Sequence, residues 1–163
     1  MIVSAVIITH NSEGFIGRCL NHLGTQRRPV DEVIIVDNRS QDRHALRAAV
    51  RSAPIHVKLL ELDYNVGYPA ACNIAMQHLP EVCDYVLYVG PDTYLTKGYV
   101  ESAIAFMEDP ANRTVGAVSG KLLGFDNEDS VLLGVTTSGY YVRYGQSPGI
   151  PEIVTMLRDW PEA

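Results

Sequence analysis

Tyr85-Val86-Leu87-Tyr88-Val89-Gly90-Pro91-Asp92-Thr93-Tyr94-Leu95 decides how this chain is read. Its first five residues are β-branched, aromatic or leucine and carry no charge, the composition of a short buried strand. Gly90-Pro91 ends that strand. One carboxylate, Asp92, then stands just past its carboxyl end. Open α/β sheets bind their ligands outside the carboxyl ends of their strands.

Upstream, the same pattern recurs. Ile2 to Thr9 is nearly continuous apolar sequence, as expected of a strand buried on both faces in a parallel sheet. It stops at Thr9-His10-Asn11-Ser12, and Ser12 is placed to cap a helix from Glu13 to about Leu23. Phe15, Ile16, Cys19, Leu20 and Leu23 share one face of that helix. Glu32 to Asp37 repeats the design, an apolar strand ending in a carboxylate, followed by the polar turn Asn38 to Asp42 and a helix over Arg43 to Ser52. Val57 to Leu62 is a third strand, Asp63 to Pro69 a loop, and Ala70 to Leu79 a short helix that leads into the stretch quoted above.

Downstream, Val100, Ala103, Ile104 and Met107 mark a helix over Gly98 to Asp109. Val115 to Leu123 reads as a strand or strand pair, and Phe125 to Ser130 as an acidic loop. Val131 to Val135 and Gly139 to Tyr144 read as strands around a turn, and Glu152 to Arg158 as a short helix. Four strand-then-helix alternations predict an α/β domain. Its sheet is mostly parallel, with right-handed crossovers and helices on both faces. The ends of strands one, two and four carry Thr9-His10-Asn11, Asp37-Asn38 and Asp92, and this topology brings those ends to one edge of the sheet.

The bulk numbers agree. The chain has 163 residues, 47% hydrophobic and 20% charged, which suits one globular domain, residues 1–163. A net charge of -6 argues against a nucleic-acid partner, which calls for a basic face. Three cysteines without metal-ligand spacing fit reduced thiols, and with no visible leader the expected location is cytoplasmic, extending to the cytoplasmic face of a membrane. No apolar run approaches the roughly 20 residues that span a bilayer.

The strand-end residues have definite chemistry. Asp37 can accept a hydrogen bond from a pyrimidine N–H or a ribose hydroxyl; the same position suits a turn or helix-cap carboxylate. Thr9, His10 and Asn11 sit where a strand end and a helix start can cradle a base or phosphate, or simply cap the helix. Gly67 lets the Asn65-Val66-Gly67 turn pass closely under a ligand, and equally makes an ordinary turn. Asp92 can hold a divalent cation, Mg or Mn, against a diphosphate whose charge grows as a sugar departs, or be a solvated turn residue. No G-x-G-x-x-G follows the first strand, and no Walker A, G-x-S-x-G or H-E-x-x-H sequence occurs.

These motifs, in this order, resemble glycosyltransferase family 2, with its GT-A fold, and most closely its rhamnosyltransferase-like branch. Val6-Ile7-Ile8-Thr9-His10-Asn11 is similar to the family's opening V-I-I-x-T-Y-N, and Glu32 to Asp42 resembles E-I-I-V-V-D-N-x-S-x-D. Asn65 to Asn73 resembles N-x-G-(F/Y)-x-x-x-x-N, Gly90 to Leu95 resembles N-P-D-T-x-L, and Val115 to Leu123 also fits. The resemblance implies that Asp37 contacts the base, that Thr9, Asn11, Asn65 and Asn73 line the donor pocket, and that Asp92 ligates Mg or Mn. It implies a UDP- or dTDP-sugar donor, a saccharide or lipid-linked acceptor, and an inverting transfer.

Two positions depart from the pattern: His10 replaces an aromatic residue, and Gly90 replaces Asp or Asn. The family's acceptor-binding region and its Glu-Asp general base are expected beyond the matched stretch. Glu128-Asp129 is a Glu-Asp pair, and it falls in an early acidic loop. The catalytic base is therefore unassigned. A non-catalytic nucleotide-sugar-binding module, or a shortened or degenerate family member, is the alternative. A nucleotidyltransferase would need a basic phosphate loop after strand one, and none is present.

Overall fold

The computed structural model of the chain describes residues 1–120 and 155–158. Along the chain run β1 (Val3–Thr9), α1 (Glu13–Gly24), β2 (Glu32–Asp37), α2 (Arg43–Arg51), β3 (Val57–Glu61), α3 (Tyr68–Met76), β4 (Tyr85–Tyr88) and α4 (Tyr99–Glu108). A 3-10 turn (Pro110–Asn112), β5 (Ala117–Val118) and β6 (Thr155–Arg158) follow. The strands form one sheet in the order β3-β2-β1-β4-β6-β5. The first four are mutually parallel, and β6 runs antiparallel to both of its neighbours.

The chain steps outward from β1 to β2 to β3, then returns over both to place β4 on the far side of β1. That reversal makes a topological switch point between β1 and β4. It also sorts the helices. α1, α2 and α4 pack on the face carrying Val3, Ala5, Ile7, Val33 and Ile35. On the other face α3 lays Ala71 and Ala75 on Val6, Ile8, Ile34, Val36 and Val86. Every residue of β1 is buried, which is why its sequence lacks the polar alternation of a one-faced strand.

α1 buries Ile16, Cys19, Leu20 and Leu23, positions i, i+3, i+4 and i+7; Phe15, expected on that face, lies at its edge and is exposed. Each fully buried leucine or isoleucine contributes about 1.5–3 kcal/mol. α2 is capped by Asp42, whose side chain accepts from the Ala45 N–H at 2.9 Å. α3 begins two residues earlier than the sequence pattern suggests. Its N-cap is Gly67, at φ +80°, and Pro69 sits in its first turn, where no N–H is required.

The helix expected over Glu152 to Arg158 is corrected at its carboxyl end. Thr155–Arg158 is a strand that pairs with Tyr85–Tyr88 and with Ala117–Val118. The free edge of β4 offers backbone hydrogen bonds that no four-residue stretch can match as an isolated helix. The strands expected at 131–135 and 139–144, and Glu128-Asp129, lie outside the described residues. Among those described, no helix is long and apolar enough to cross a membrane. The three cysteines are free thiols.

Candidate functional site

β1 and β2 pair in parallel, with Thr9 beside Asp37, and Asp37 in turn beside Glu61 of β3. Thr9 and Asp37 follow Ile7 and Ile35 by two residues, so both turn to the face of α1 and α2. Thr9 is 1% exposed and its hydroxyl oxygen has no hydrogen-bond partner. Asp37 is 0% exposed. Its Oδ1 accepts from the Ser40 N–H at 2.9 Å, and its Oδ2 pairs with Arg43 Nε at 2.9 Å. Arg43 also donates to the Leu62 carbonyl, which ties the first turn of α2 to the end of β3.

Three loops are stitched together above these strand ends. The Asn38 N–H donates to the Thr9 carbonyl at 2.8 Å, and the Leu62 N–H to that of Asp37 at 2.9 Å. Asn38 and Asn65 bind each other's loops. Asn38 Nδ2 donates to Asn65 Oδ1 at 2.9 Å, and Asn38 Oδ1 accepts from the Val66 N–H at 2.8 Å. The Gly67 N–H also donates to Asn65 Oδ1. Asn11 receives the Gln41 N–H on its Oδ1 at 2.8 Å, while its own N–H donates to Ser40 Oγ at 2.9 Å.

That bond fixes the Asn11 amide and, with it, the tautomer of His10. Nδ1 of His10 lies 2.9 Å from the Asn38 carbonyl, an acceptor, so Nδ1 carries the hydrogen. Nε2 lies 3.3 Å from the Asn11 Nδ2, which donates to it. Asn11 and Arg39 both have positive φ, 53° and 67°. Asparagine tolerates that region, whereas arginine there is strained, and such strain concentrates at functional loops.

Of the residues expected at the site, Thr9, His10, Asn11, Asp37, Asn38, Asn65 and Gly67 thus form one hydrogen-bonded cluster. Asn73 stands apart from it. It lies in the second turn of α3, exposed, on the flank away from Ala71 and Ala75, and no hydrogen bond joins its side chain to the cluster. Ser40, Gln41 and Arg43 belong to the cluster and were not picked out from the sequence. Their roles depend on which loops meet, and no spacing signature announces that.

Asp92 occupies the other side of the switch point. The Val89 N–H donates to the Val6 carbonyl at 3.0 Å, so the chain leaves β4 at the same edge where Thr9 and Asp37 end. β1 lies between β2 and β4, so two strand spacings, about 10 Å, separate the ends of the strands that lead to the two acidic residues. Asp92 is exposed, and among the described residues no ion pair includes it. Its carboxylate folds back over Gly90: a Cβ at position 90 would sit 2.8 Å from Asp92 Oδ1 and 2.9 Å from Thr93 Oγ1. Any larger residue at 90 would have to move both oxygens.

Beneath this loop the Cys19 thiol lies 3.6 Å from the Gly90 carbonyl. Burial, and secondarily the Asp92 charge, pushes that thiol up to about 12, so it stays protonated and offers no soft metal ligand. On the α3 face, burial raises the Cys72 thiol, with a Tyr68 hydrogen bond partly opposing, and burial also raises Tyr88.

Among the described residues no group of three His, Cys, Asp or Glu side chains could enclose a metal ion. The donors at the β4 end are hard oxygens, the Asp92 carboxylate and the Thr93 hydroxyl. They fit Mg or Mn only as partners of further oxygens brought by a ligand, and do not make a cage of their own.

The sequence profile described as Glycosyl transferase family 2 matches residues 4–146. A poly(ribitol-phosphate) beta-N-acetylglucosaminyltransferase, TarS, of Staphylococcus aureus is 30% identical over 112 residues, covering 67% of this chain and 19% of the relative. A teichoic acid poly(glycerol phosphate) polymerase of Staphylococcus epidermidis is 25% identical over 119 residues, 72% of this chain and 16% of the relative. The chain therefore spans about a fifth of the length of these relatives. Among solved structures, S. aureus TarS 1-349 in complex with UDP superposes with a TM-score of 0.64 at 27% identity, over 80% of this chain and 38% of that one. Its complex with UDP-GlcNAc gives the same score and identity, over 80% and 37%. The parallel sheet, its switch point and the profile together place the chain in glycosyl transferase family 2, with the GT-A fold.

Proposed function

We propose that this chain is the donor-binding part of an inverting, metal-assisted glycosyltransferase. It moves a sugar from a UDP- or dTDP-linked donor to a hydroxyl of a saccharide or lipid-linked acceptor. One observation carries the reading: the cluster of Thr9, Asp37, Asn38 and Asn65 and the lone Asp92 stand on one sheet edge, flanking the end of β1. A nucleoside diphosphate laid across that edge puts its base over the cluster and its diphosphate toward Asp92. The solved relatives that hold UDP and UDP-GlcNAc favour uridine as the nucleoside. A transfer that consumes nucleotide sugars suits the cytoplasm or the cytoplasmic face of a membrane.

Within this reading, the Thr9 hydroxyl is a buried group still lacking a partner, and it meets the base or ribose. A carboxylate has about four acceptor positions and the fold uses two of those on Asp37, which leaves room for a pyrimidine N–H. Because Asp37 is fully covered, that contact requires the loop rim above it to part on binding. His10, Asn11 and Gly67 form that rim, and Asn73 reaches the donor only from the exposed flank of α3. Asp92, with oxygens of the donor's phosphates, would hold Mg or Mn, which would supply positive charge to the departing diphosphate. The protein's share of the work is orientation: it fixes the base at one corner and the diphosphate at the other.

A second reading, a module that binds the nucleotide sugar without transferring it, is favoured by Gly90, which leaves a single carboxylate in the loop. Calorimetric titration of UDP, dTDP and GDP, with Mn and with EDTA, tests the donor site in wild type and Asp92→Asn. Selective pyrimidine binding that weakens in EDTA and in the variant is expected. Equal binding of all three nucleotides, or none, defeats the donor-site reading. Donor hydrolysis above the buffer rate then decides against the pure binding module.

A further inference from the structure

The segment that carries Asp92, residues 89–98, has neither helix nor strand. Among the described residues its internal backbone bonds are two tight turns, Thr93 N–H to the Gly90 carbonyl and Tyr99 N–H to the Thr96 carbonyl, both 3.0 Å. Two turns do not fix a ten-residue loop. One edge of α1 does. Arg18 and Cys19, with His22 three or four residues on, form a stripe along the helix, and Gln26 continues it just past the helix end.

The members of the stripe grip the loop at several points. The Cys19 thiol meets the Gly90 carbonyl at 3.6 Å. The His22 ring stacks on Tyr94 with centroids 5.3 Å apart, and Arg18 lies 4.3 Å from the same ring's centroid. Nδ1 of His22 faces the Leu95 carbonyl at 2.9 Å and so donates to it. The Arg27 N–H donates to the Lys97 carbonyl at 2.8 Å.

Gln26 does most. It is 7% exposed, and both its N–H donors and its carbonyl oxygen are engaged. Nε2 donates to the Thr96 carbonyl at 2.8 Å and to the His22 carbonyl at 3.1 Å. Oε1 accepts the Val100 N–H of the first turn of α4 at 3.2 Å. A buried amide is costly unless every group is matched, and here the matching joins three elements: the end of α1, the loop and the start of α4.

We propose that Gln26, seconded by His22, is the positioning residue of Asp92. It holds the loop in the one arrangement that presents this carboxylate to a donor diphosphate and its cation. The inference rests on the metal-assisted donor reading above. It assigns to α1, which carries none of the contacts expected to Asp92's ligand, the setting of that site's geometry.

The test separates positioning from plain support of the fold. UDP binding with Mn, UDP binding with EDTA, and uridine binding are measured by calorimetry for wild type, Gln26→Leu, His22→Phe, Asp92→Asn and Gln26→Leu/Asp92→Asn. His22→Phe keeps the stack on Tyr94 and loses only the Leu95 bond. We expect Gln26→Leu to weaken Mn-supported UDP binding roughly tenfold, a loss of about one well-placed polar contact. Uridine binding and UDP binding in EDTA stay unchanged. His22→Phe shifts the same quantity by a smaller factor. The double variant is no weaker than Asp92→Asn alone, because both changes act through one carboxylate.

Equal weakening of all three measurements makes Gln26 a support of the fold and overturns the proposal, as does no weakening of any. If Asp92→Asn abolishes the effect of Mn and Gln26→Leu leaves that effect at its wild-type size, the positioning role alone falls. If Asp92→Asn leaves the effect of Mn intact, the metal reading falls and the positioning role with it. Should Gln26→Leu fail to fold by circular dichroism, His22→Phe carries the same comparison.

Discussion

Arg43→Met is the sharpest test of how the donor-side cluster is held. Asp37 is 0% exposed, and its nearest counter-charge is the Arg43 guanidinium, 2.9 Å away. Removing one partner from a fully buried ion pair costs about 3–5 kcal/mol, because the other charge is left without solvent or mate. Arg43 is 27% exposed, so water already weakens the pair from one side. Ser40 also keeps its bond to Oδ1. Both reduce the cost to about 2–3 kcal/mol. The lost bond from Arg43 to the Leu62 carbonyl adds about 1 kcal/mol. A domain of this kind has about 5–15 kcal/mol in all, so the variant is expected to fold with a clearly lowered urea midpoint. Methionine keeps the length of the chain over α2 and isolates the charge. Asp37→Asn retains an oxygen for the Ser40 N–H and frees a guanidinium that water can solvate, so it costs less, about 1 kcal/mol. The double variant then costs about 2 kcal/mol, that of Asp37→Asn plus the lost Leu62 bond, with a coupling of about 2–3 kcal/mol between the two positions. A loss under about 0.5 kcal/mol for Arg43→Met, the scatter of ordinary surface changes, or simple additivity in the cycle, refutes the claim that this pair holds the cluster.

Gly90→Ala introduces a Cβ against the Asp92 and Thr93 side-chain oxygens, which can swing away. Urea stability should change by less than about 1 kcal/mol while Mn-supported UDP affinity falls, and unchanged affinity counts against the folded-back carboxylate. Asn65→Ala removes the acceptor shared by Asn38 Nδ2 and the Gly67 N–H, and should cost about 1–2 kcal/mol in urea denaturation, with weaker UDP binding. Cys19 gives the pH dependence. Its folded thiol keeps its proton to about 12, whereas an unfolded thiol releases it near 9.0. Between those values unfolding releases a proton, so the stability this group contributes is whole below 9.0 and declines as pH rises. The stability of wild type relative to Cys19→Ala should therefore narrow above pH 9.0 with a slope approaching 1.4 kcal/mol per pH unit, and a pH-independent difference would contradict the buried, charge-opposed thiol.

What could be read in advance follows from where each signal lives. β1, β2 and β4 are buried on both faces, so their apolar runs are visible without knowing their neighbours. The parallel alternation then brings Thr9, Asp37 and Asp92 to a common edge whatever the details of packing. The loops between them gave up less. Asn38 and Asn65 were legible as polar strand-end and turn residues, yet the bond between them depends on two loops 27 positions apart arriving together. Arg43 and Gln26 were illegible for a related reason. One looks like the first residue of a surface helix and the other like part of a loop, and only packing turns them inward. β6 failed as a helix because four residues carry too little periodicity to outweigh an open strand edge waiting to be paired.

Put together, these cases divide the site by physical origin. Asp37 ends a strand, where the backbone alone fixes its height on the sheet edge, whereas Asp92 stands past the end of β4, in a loop. Their orientation is set elsewhere, by α2 and β3 through Arg43 for Asp37 and by α1 through Gln26 and His22 for Asp92. Strand ends spaced by hydrogen bonding can shift little, so the spacing of the strand ends beneath the two corners is rigid. The side chains that aim the carboxylates reach them from helices on one face, α1 and α2, which pack on the same core cluster. A change that slides either helix on that core therefore disturbs the aim of a carboxylate before it disturbs the spacing. Weakened donor binding with an intact sheet is the signature such a change should leave, and it distinguishes loss of orientation from loss of the fold.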